Sequence, residues 1–146
     1  MNYSEMKYEE INDEIEKLLN IDNNKLDSEA TRGQRIFTEI NRIYIQVSRR
    51  LMSLTDQKNS VELHRFKHFT GKLTSTHYKD NPLDVALLKT DVPRYMDTDA
   101  VVVEIRNLVK EAEMIVKMVE SAQTTLRGRS FDIKNAISFQ SLMAGN

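Results

Sequence analysis

No cysteine occurs among the 146 residues. Its absence removes disulfides, thiolate zinc sites, iron–sulfur ligation and cysteine nucleophiles together. Four glycines and two prolines are too few for a turn-rich β-sandwich or barrel. No apolar run approaches the roughly 18 residues that a membrane span needs. The opening stretch, residues 1–14, is acidic and charged, unlike a secretory signal or an Arg-rich transit peptide. Charged residues at 29% and hydrophobic ones at 40% lie near the globular average, which argues against wholesale disorder. The expectation is a soluble, intracellular, helical protein of about one domain.

The net charge of -1 conceals a segregation. Residues 1–24 carry 2 bases against 7 acids, and residues 80–126 carry 5 against 9. Residues 25–79 carry 11 bases against 5 acids, together with all three histidines, His64, His68 and His77. Polyanion binding needs only one basic face, so an acidic overall balance does not exclude it.

Hydrophobic spacing predicts helices throughout. A first helix is expected over Ser4–Leu19, with Ser4 as its N-cap and Tyr8, Ile11, Ile15 and Leu18 on one face. The Asn- and Asp-rich stretch 20–24 breaks it. Next, Ala30, Gly33, Phe37, Ile40, Tyr44, Val47, Leu51 and Leu54 alternate steps of three and four, the coiled-coil period. The same rule continues through Lys58, Val61, Arg65 and His68, so this seam turns polar, and polar seam positions are expected to face solvent. One helix is expected from Lys25 to Phe69, ended by Gly71. A short helix over Leu83–Lys89 follows, then an irregular region in which Asp91, Asp97 and Asp99 suit helix caps. A third long helix is expected from about Asp99 to Leu126 on Val101, Ile105, Leu108, Ala112, Ile115, Val119, Ala122 and Leu126. Val102, Val109 and Val116 add a second stripe. Arg127-Gly128-Arg129 is expected to end it, and Ser130 to cap a last helix carrying Ile133, Ala136, Ile137 and Met143. The fold class is all-α: an elongated protomer with two long coiled-coil-like helices and a C-terminal helix, self-associating. The segments are 1–24, an amphipathic helix and linker; 25–72, the long basic helix; 73–98, a connector; and 99–146, the third helix with an oligomerisation helix. Ile105, Leu108, Ile115, Val119, Ile133 and Ile137 are the expected assembly face.

No catalytic constellation emerges. His64 and His68 stand four apart, the spacing of a zinc pair, but no HExxH accompanies them. Thr70-Gly71-Lys72-Leu73-Thr74 echoes a phosphate loop, yet Phe66 occupies the position of the earlier glycine. No cofactor or metal is expected. The remaining signal is electrostatic. Arg35, Arg42 and Arg49 recur at exact sevens, forming one stripe flanked by Arg32 and Arg50. His64, Arg65, Lys67, His68 and Lys72 crowd the end of the same helix, with Phe66 and Phe69 between them. Cations follow phosphates and aromatic rings stack on unpaired bases, the mixture expected of single-strand binding. The two histidines would add charge only near pH 6.

Several motifs resemble one family. Arg129 through Phe139 and on to Ala144-Gly145 is similar to the closing motif of the UvsY family of phage recombination mediators. Leu88-Lys89-Thr90-Asp91-Val92 with Tyr95 and Asp97-Thr98-Asp99, Phe69-Thr70-Gly71-Lys72, and Asp22 through Leu26 resemble others of its motifs, in family order. The resemblance implies hexameric or heptameric rings of helical protomers. It implies single-stranded DNA binding without strong sequence preference, and help in loading a RecA-like recombinase onto DNA coated by the phage single-strand-binding protein. No enzymatic activity is implied, and the place of action would be the cytoplasm of the infected host cell. The family's basic Lys-Ala-Arg-Leu element falls on Leu63-His64-Arg65-Phe66, where only Arg65 keeps a basic position. His68-Phe69 stand where the family has a tyrosine pair. The competing class is a coiled-coil adaptor or assembly chaperone without a nucleic-acid role.

Overall fold

The structure, a computed structural model, describes residues 1–83 and 87–145. Its regular elements are all helical: a 3-10 turn at Tyr3–Glu5, then α1 (Tyr8–Leu19), α2 (Leu26–Phe69), α3 (Ser75–Asp80), α4 (Val92–Thr98) and α5 (Ala100–Met143). The chain forms two compact units, one of residues 1–50 with 112–146 and one of residues 51–111. Both boundaries fall inside the long helices.

The first unit is built on isoleucine. Ile36, Ile40, Ile43 and Val47 of α2 pack with Ile11 and Ile15 of α1 and with Ile115, Val119 and Ala122 of α5. Burying each of the Ile and Val side chains contributes about 1.5–3 kcal/mol. The inner stripe of α2 therefore runs through Ile36 and Ile43, one residue before the expected Phe37 and Tyr44. Phe37 is 50% exposed instead. Four β-branched residues at i, i+4, i+7 and i+11 form the more apolar of two interleaved stripes, and the core takes it. Ser4 lies within the 3-10 turn and does not cap α1. That helix starts at Tyr8, after the Lys7 N–H donates to the Glu10 carboxylate at 2.8 Å. Tyr3 is buried, and its hydroxyl donates to Glu39 at 2.6 Å. Burial, then the Glu39 carboxylate, push the Tyr3 pKa up to about 12.

No break occurs at Gly128. α5 runs from Ala100 to Met143, and Ser130 caps nothing. A helix-interior glycine costs only about 1 kcal/mol relative to alanine. What holds the chain helical is Arg129, which occupies the next inward position after Leu126. It is buried, and its guanidinium donates to the Glu29 carboxylate and, at 2.7 Å, to the Glu29 carbonyl of α2. Gln123 reaches Asn41 at 3.2 Å, and Gln140 reaches the Asn23 carbonyl at 2.9 Å. Rising numbers on α5 meet falling numbers on α2, so the two run antiparallel in this unit.

In the second unit Leu54, Val92, Val102, Ile105 and Val109 are buried. α5 uses its second stripe here: Val102 is inside and Val101 outside. The expected continuity of α2 through its polar patch holds, because Leu54 is buried while Lys58 and Val61 are half-buried on the same side. Gly71 ends the helix at φ 72, with the Gly71 N–H on the His68 carbonyl and the Lys72 N–H on the Lys67 carbonyl, a Schellman closure. The short helix expected over Leu83–Lys89 includes residues 84–86, which lie outside the described residues; Leu83, Leu87 and Leu88 are not helical.

Two substitutions test these points. Gly128→Ala should stabilise by about 0.5–1 kcal/mol, since an added Cβ meets nothing within 4 Å; Gly71→Ala should destabilise by a similar amount because of its φ. Opposite shifts of the urea midpoint are the expected result, and a destabilising Gly128→Ala would argue for a break in α5. Arg129→Ala removes the buried partner of the Glu29 carboxylate and leaves it Arg32 alone, and should cost about 3 kcal/mol in the same measurement.

Candidate nucleic-acid interface

The expected site residues fall into two groups. In the second unit, the end of α2 carries His64, Arg65, Phe66, Lys67, His68 and Phe69, and Lys72 follows the closing turn. Lys67 and Lys72 are exposed, with the Lys72 ammonium 5.9 Å from the Phe66 ring centroid. Arg65 is not solvent-facing. Its Nε and Nη2 donate to one Asp99 oxygen at 3.0 and 2.6 Å, and the two side chains are 19% and 9% exposed. Asp99 also accepts from the Val101 and Val102 N–H groups at 3.1 Å each, capping α5. Burial alone would raise the Asp99 pKa, but the Arg65 hydrogen bond and those amides outweigh it and hold the carboxyl below its ordinary value. A seam position that turns polar has thus turned inward with a partner.

The histidines are drawn together as well. His68 is buried, and its Nδ1 lies 2.8 Å from His77 Nε2, so one nitrogen carries the proton and the other accepts it. Tyr78 stacks on His68 and donates to the His68 carbonyl at 2.8 Å, satisfying the end of α2. Burial first, then the positive charges of Arg65 and His77, lower the His68 pKa. The neutral imidazole of His68 is thereby favoured, against the expectation that it adds charge to a DNA-binding face. His64 is exposed, 5.5 Å from the His77 ring. Among the described residues no group of His, Asp and Glu could hold a metal ion.

In the first unit the arginines divide by role. Arg32 donates to the Leu18 and Asn20 carbonyls and to Glu29, and Arg50 donates to the Ser4 carbonyl at 2.7 Å. Both are structural ties. Arg35, Arg42 and Arg49, the three at exact sevens, are exposed. Arg42 meets Glu39 at 3.0 Å, whereas Arg35 and Arg49 have no ion pair among the described residues. Arg42 and Arg49 border an open groove with Phe37, Thr38, Asn41, Ile45 and Gln46. The exposed Phe37 beside this stripe is absent from the sequence-derived set. The stronger isoleucine stripe, which leaves Phe37 outside, was the available signal.

The expected assembly residues are mostly occupied within the chain. Ile105, Ile115, Val119 and Ile133 are buried in the protomer, so they present no face to another copy; Leu108 is half-buried. Ile137 is exposed, as are Phe131, Phe139, Leu142 and Met143 on the last turns of α5.

The family described as "Recombination, repair and ssDNA binding protein UvsY" matches residues 14–146. The chain belongs to the UvsY family. Two crystal structures of the bacteriophage T4 recombination mediator protein UvsY share the fold. The lattice type II structure is 17% identical with a TM-score of 0.80, covering 95% of this chain and 98% of that one. The lattice type IV structure is 15% identical with a TM-score of 0.75, covering 94% and 99%. No curated protein sequence matches the chain. The UvsY-family motifs Phe69-Thr70-Gly71-Lys72 and Asp97-Thr98-Asp99 have structural roles here: one closes α2, and the other caps α5 and binds Arg65 and Arg106.

The Arg65–Asp99 pair makes its own prediction. Asp99→Asn keeps a capping side chain but removes the counter-charge. It should cost about 2–3 kcal/mol, less than for a fully buried pair because Arg65 retains some exposure. Because the folded pKa is depressed, this stabilisation is present above about pH 4 and is lost as pH falls through the folded value. Denaturation midpoints between pH 7 and pH 2 should therefore converge for the two proteins at the acid end; a constant difference across that range would refute the assignment.

Proposed function

We propose that this UvsY-family chain is a recombination mediator. It binds single-stranded DNA along the exposed arginine stripe of α2 and promotes loading of a RecA-like recombinase onto DNA coated by a phage single-strand-binding protein. The observation that carries the reading is the stripe itself. Arg35, Arg42 and Arg49 stay in solvent while Arg32 and Arg50 are taken up by backbone carbonyls. Phosphates need accessible cations: Arg35 and Arg49 have no ion pair among the described residues, Arg42 shares only Glu39, and the exposed Phe37 beside them offers a base a stacking surface. Lys67, Lys72 and His64 at the end of α2 are further phosphate contacts in this reading; Phe69 is a further aromatic contact. Arg65 and His68 act there as supports, not as contacts.

A few cations on one protomer bind a phosphate chain weakly. We assign the chain to a homo-oligomeric ring of six or seven copies, which multiplies those contacts at high effective concentration. The exposed apolar end of α5 supports assembly through Phe131, Ile137, Phe139, Leu142 and Met143. DNA held on such a ring adopts one conformation. Mediation follows if the recombinase prefers that conformation and the coating protein does not, which is differential affinity for two DNA states. No catalysis is assigned to the chain, and the reading places it in the cytoplasm of an infected host cell.

Changing Arg35, Arg42 and Arg49 together to Gln should weaken binding to oligo(dT) and make its salt dependence shallower. Each lost single-strand phosphate contact removes about 0.7 from the slope, so the three together remove about 2 per protomer engaged. Helicity and solution mass should not change. Equal slopes in the two proteins would exclude the stripe as the DNA contact.

A further inference from the structure

We infer that a cavity of about 280 Å³ beside the closing turn of α2 is a pocket for one nucleobase of a bound single strand, accepting any base. The inference rests on the single-strand reading above and gives it a specific base subsite. Phe69, Lys72, Leu83, Leu87, Lys89 and Val92 line the cavity, with Thr70 and Gly71 of the turn. Val92 is buried, Phe69, Leu83 and Leu87 are half-buried, and Lys72 and Lys89 are exposed. Among the described residues no acidic side chain lines it, and neither lysine has an ion pair there.

An apolar hollow with two ammonium groups at its rim suits a ligand that is uncharged in its body and anionic at its edges. A nucleotide within a strand has that form: the base can enter while its flanking phosphates stay with the lysines. Inorganic phosphate would leave the apolar lining unused, and an aliphatic peptide side chain would leave the lysines unused. The volume lies just below the range of pockets for drug-sized ligands, so it admits one ring system and not a stretch of chain.

The turn also determines selectivity. The Thr70, Gly71 and Lys72 amides already donate to the Phe66, His68 and Lys67 carbonyls, and the Thr70 hydroxyl donates to the Phe66 carbonyl at 2.8 Å. No backbone amide or hydroxyl of Thr70, Gly71 or Lys72 is left to donate to a base edge, and the flexible Lys72 ammonium fixes no donor position. The pocket distinguishes a base from no base, but not one base from another. Lys89 and Val92 belong to a separate stretch of chain from Phe69 and Lys72, and the fold brings them together at this turn.

The test compares the full-length protein on oligo(dT) and on an abasic oligonucleotide of equal length, by fluorescence anisotropy at several matched salt concentrations. Wild type should bind the base-bearing strand about tenfold more tightly. Leu87→Trp, which fills the pocket, should lose at least half of that tenfold preference while its affinity for the abasic strand stays within twofold of wild type. Phe69→Leu keeps apolar bulk and removes the ring, and it should act in the same direction; it carries the test if Leu87→Trp fails to fold. A strand bearing 5-iodouracil should photo-cross-link to a peptide containing Phe69 or Leu87. If the variants keep the full preference and the cross-link maps elsewhere, the pocket is refuted while the single-strand reading stands. If wild type binds neither strand, or binds both without salt dependence, the single-strand reading itself fails.

Discussion

Glu29 and Arg129 place a carboxylate and a guanidinium in the interior between α2 and α5, and the first unit depends on their pairing. A lone charge there would cost several kcal/mol, so Arg129 cannot enter without Glu29, whose carboxylate also accepts from Arg32. The pair fixes register as well as charge. Arg129 reaches the Glu29 carbonyl as well as its carboxylate, so a shift of one helix along the other would break both bonds. The second unit has a counterpart in Arg65 and Asp99, where the carboxylate also caps the start of α5. α2 thus contributes two charged side chains to its inward face, Glu29 and Arg65, and they meet their counter-ions on α5 and at its N-terminal cap. Apolar stripes of Ile and Val supply stabilisation but tolerate sliding. The ion pairs select one alignment.

This arrangement explains what was legible in the sequence and what was not. The helical class, the 44-residue length of α2, the closure at Gly71 and the cap at Asp99 follow from local chemistry: spacing, a positive φ and a short carboxylate side chain. Each is decided within a few residues, so a single sequence carries it. The break expected at Gly128 and the solvent-facing role expected of Arg65 fail for one shared reason. Periodicity treats a charge on the apolar face as the end of that face. Whether it is an end or a buried pair depends on a residue 34 positions away for Arg65 and 100 away for Arg129. The choice between Phe37 and Ile36 failed more mildly, since two stripes were regular and the partner surface decided between them. The burial of Ile115 and Val119 has the same origin: spacing reports that a face is covered, not whether the same chain or another copy covers it.

The candidate site was legible to the same degree. Seven-residue spacing placed Arg35, Arg42 and Arg49 on one face without any tertiary information, and all three are exposed. Basic composition at the end of α2 was a weaker guide. There the fold divides residues that look alike in sequence: Arg65 pairs with Asp99 and His68 bonds to His77, while Lys67 and Lys72 stay in solvent. Tight packing favours this division. Arginine's planar fork can satisfy a carboxylate through two bonds at once, and a neutral imidazole can be buried. A lysine ammonium is strongly hydrated and stays out.

A positive segment therefore overstates the charge a polyanion can meet. Of the cations at 25–79, those bound to carbonyls and carboxylates inside the fold contribute to alignment, and their fields are largely neutralised at short range. The exposed ones act over about a Debye length, roughly 10 Å at 0.1 M salt. For a sequence-independent ligand this division has a further consequence. Backbone phosphates are identical along a strand, so cations that bind them need only be unneutralised and accessible; they do not need to be rigidly placed. The paired positions, Arg129 and Arg65, sit where misplacement would be costly, and the exposed lysines and arginines sit where it would not. On the single-strand reading proposed above, that allocation lets contacts made by exposed side chains be exchanged one at a time without disturbing the pairs that align the helices.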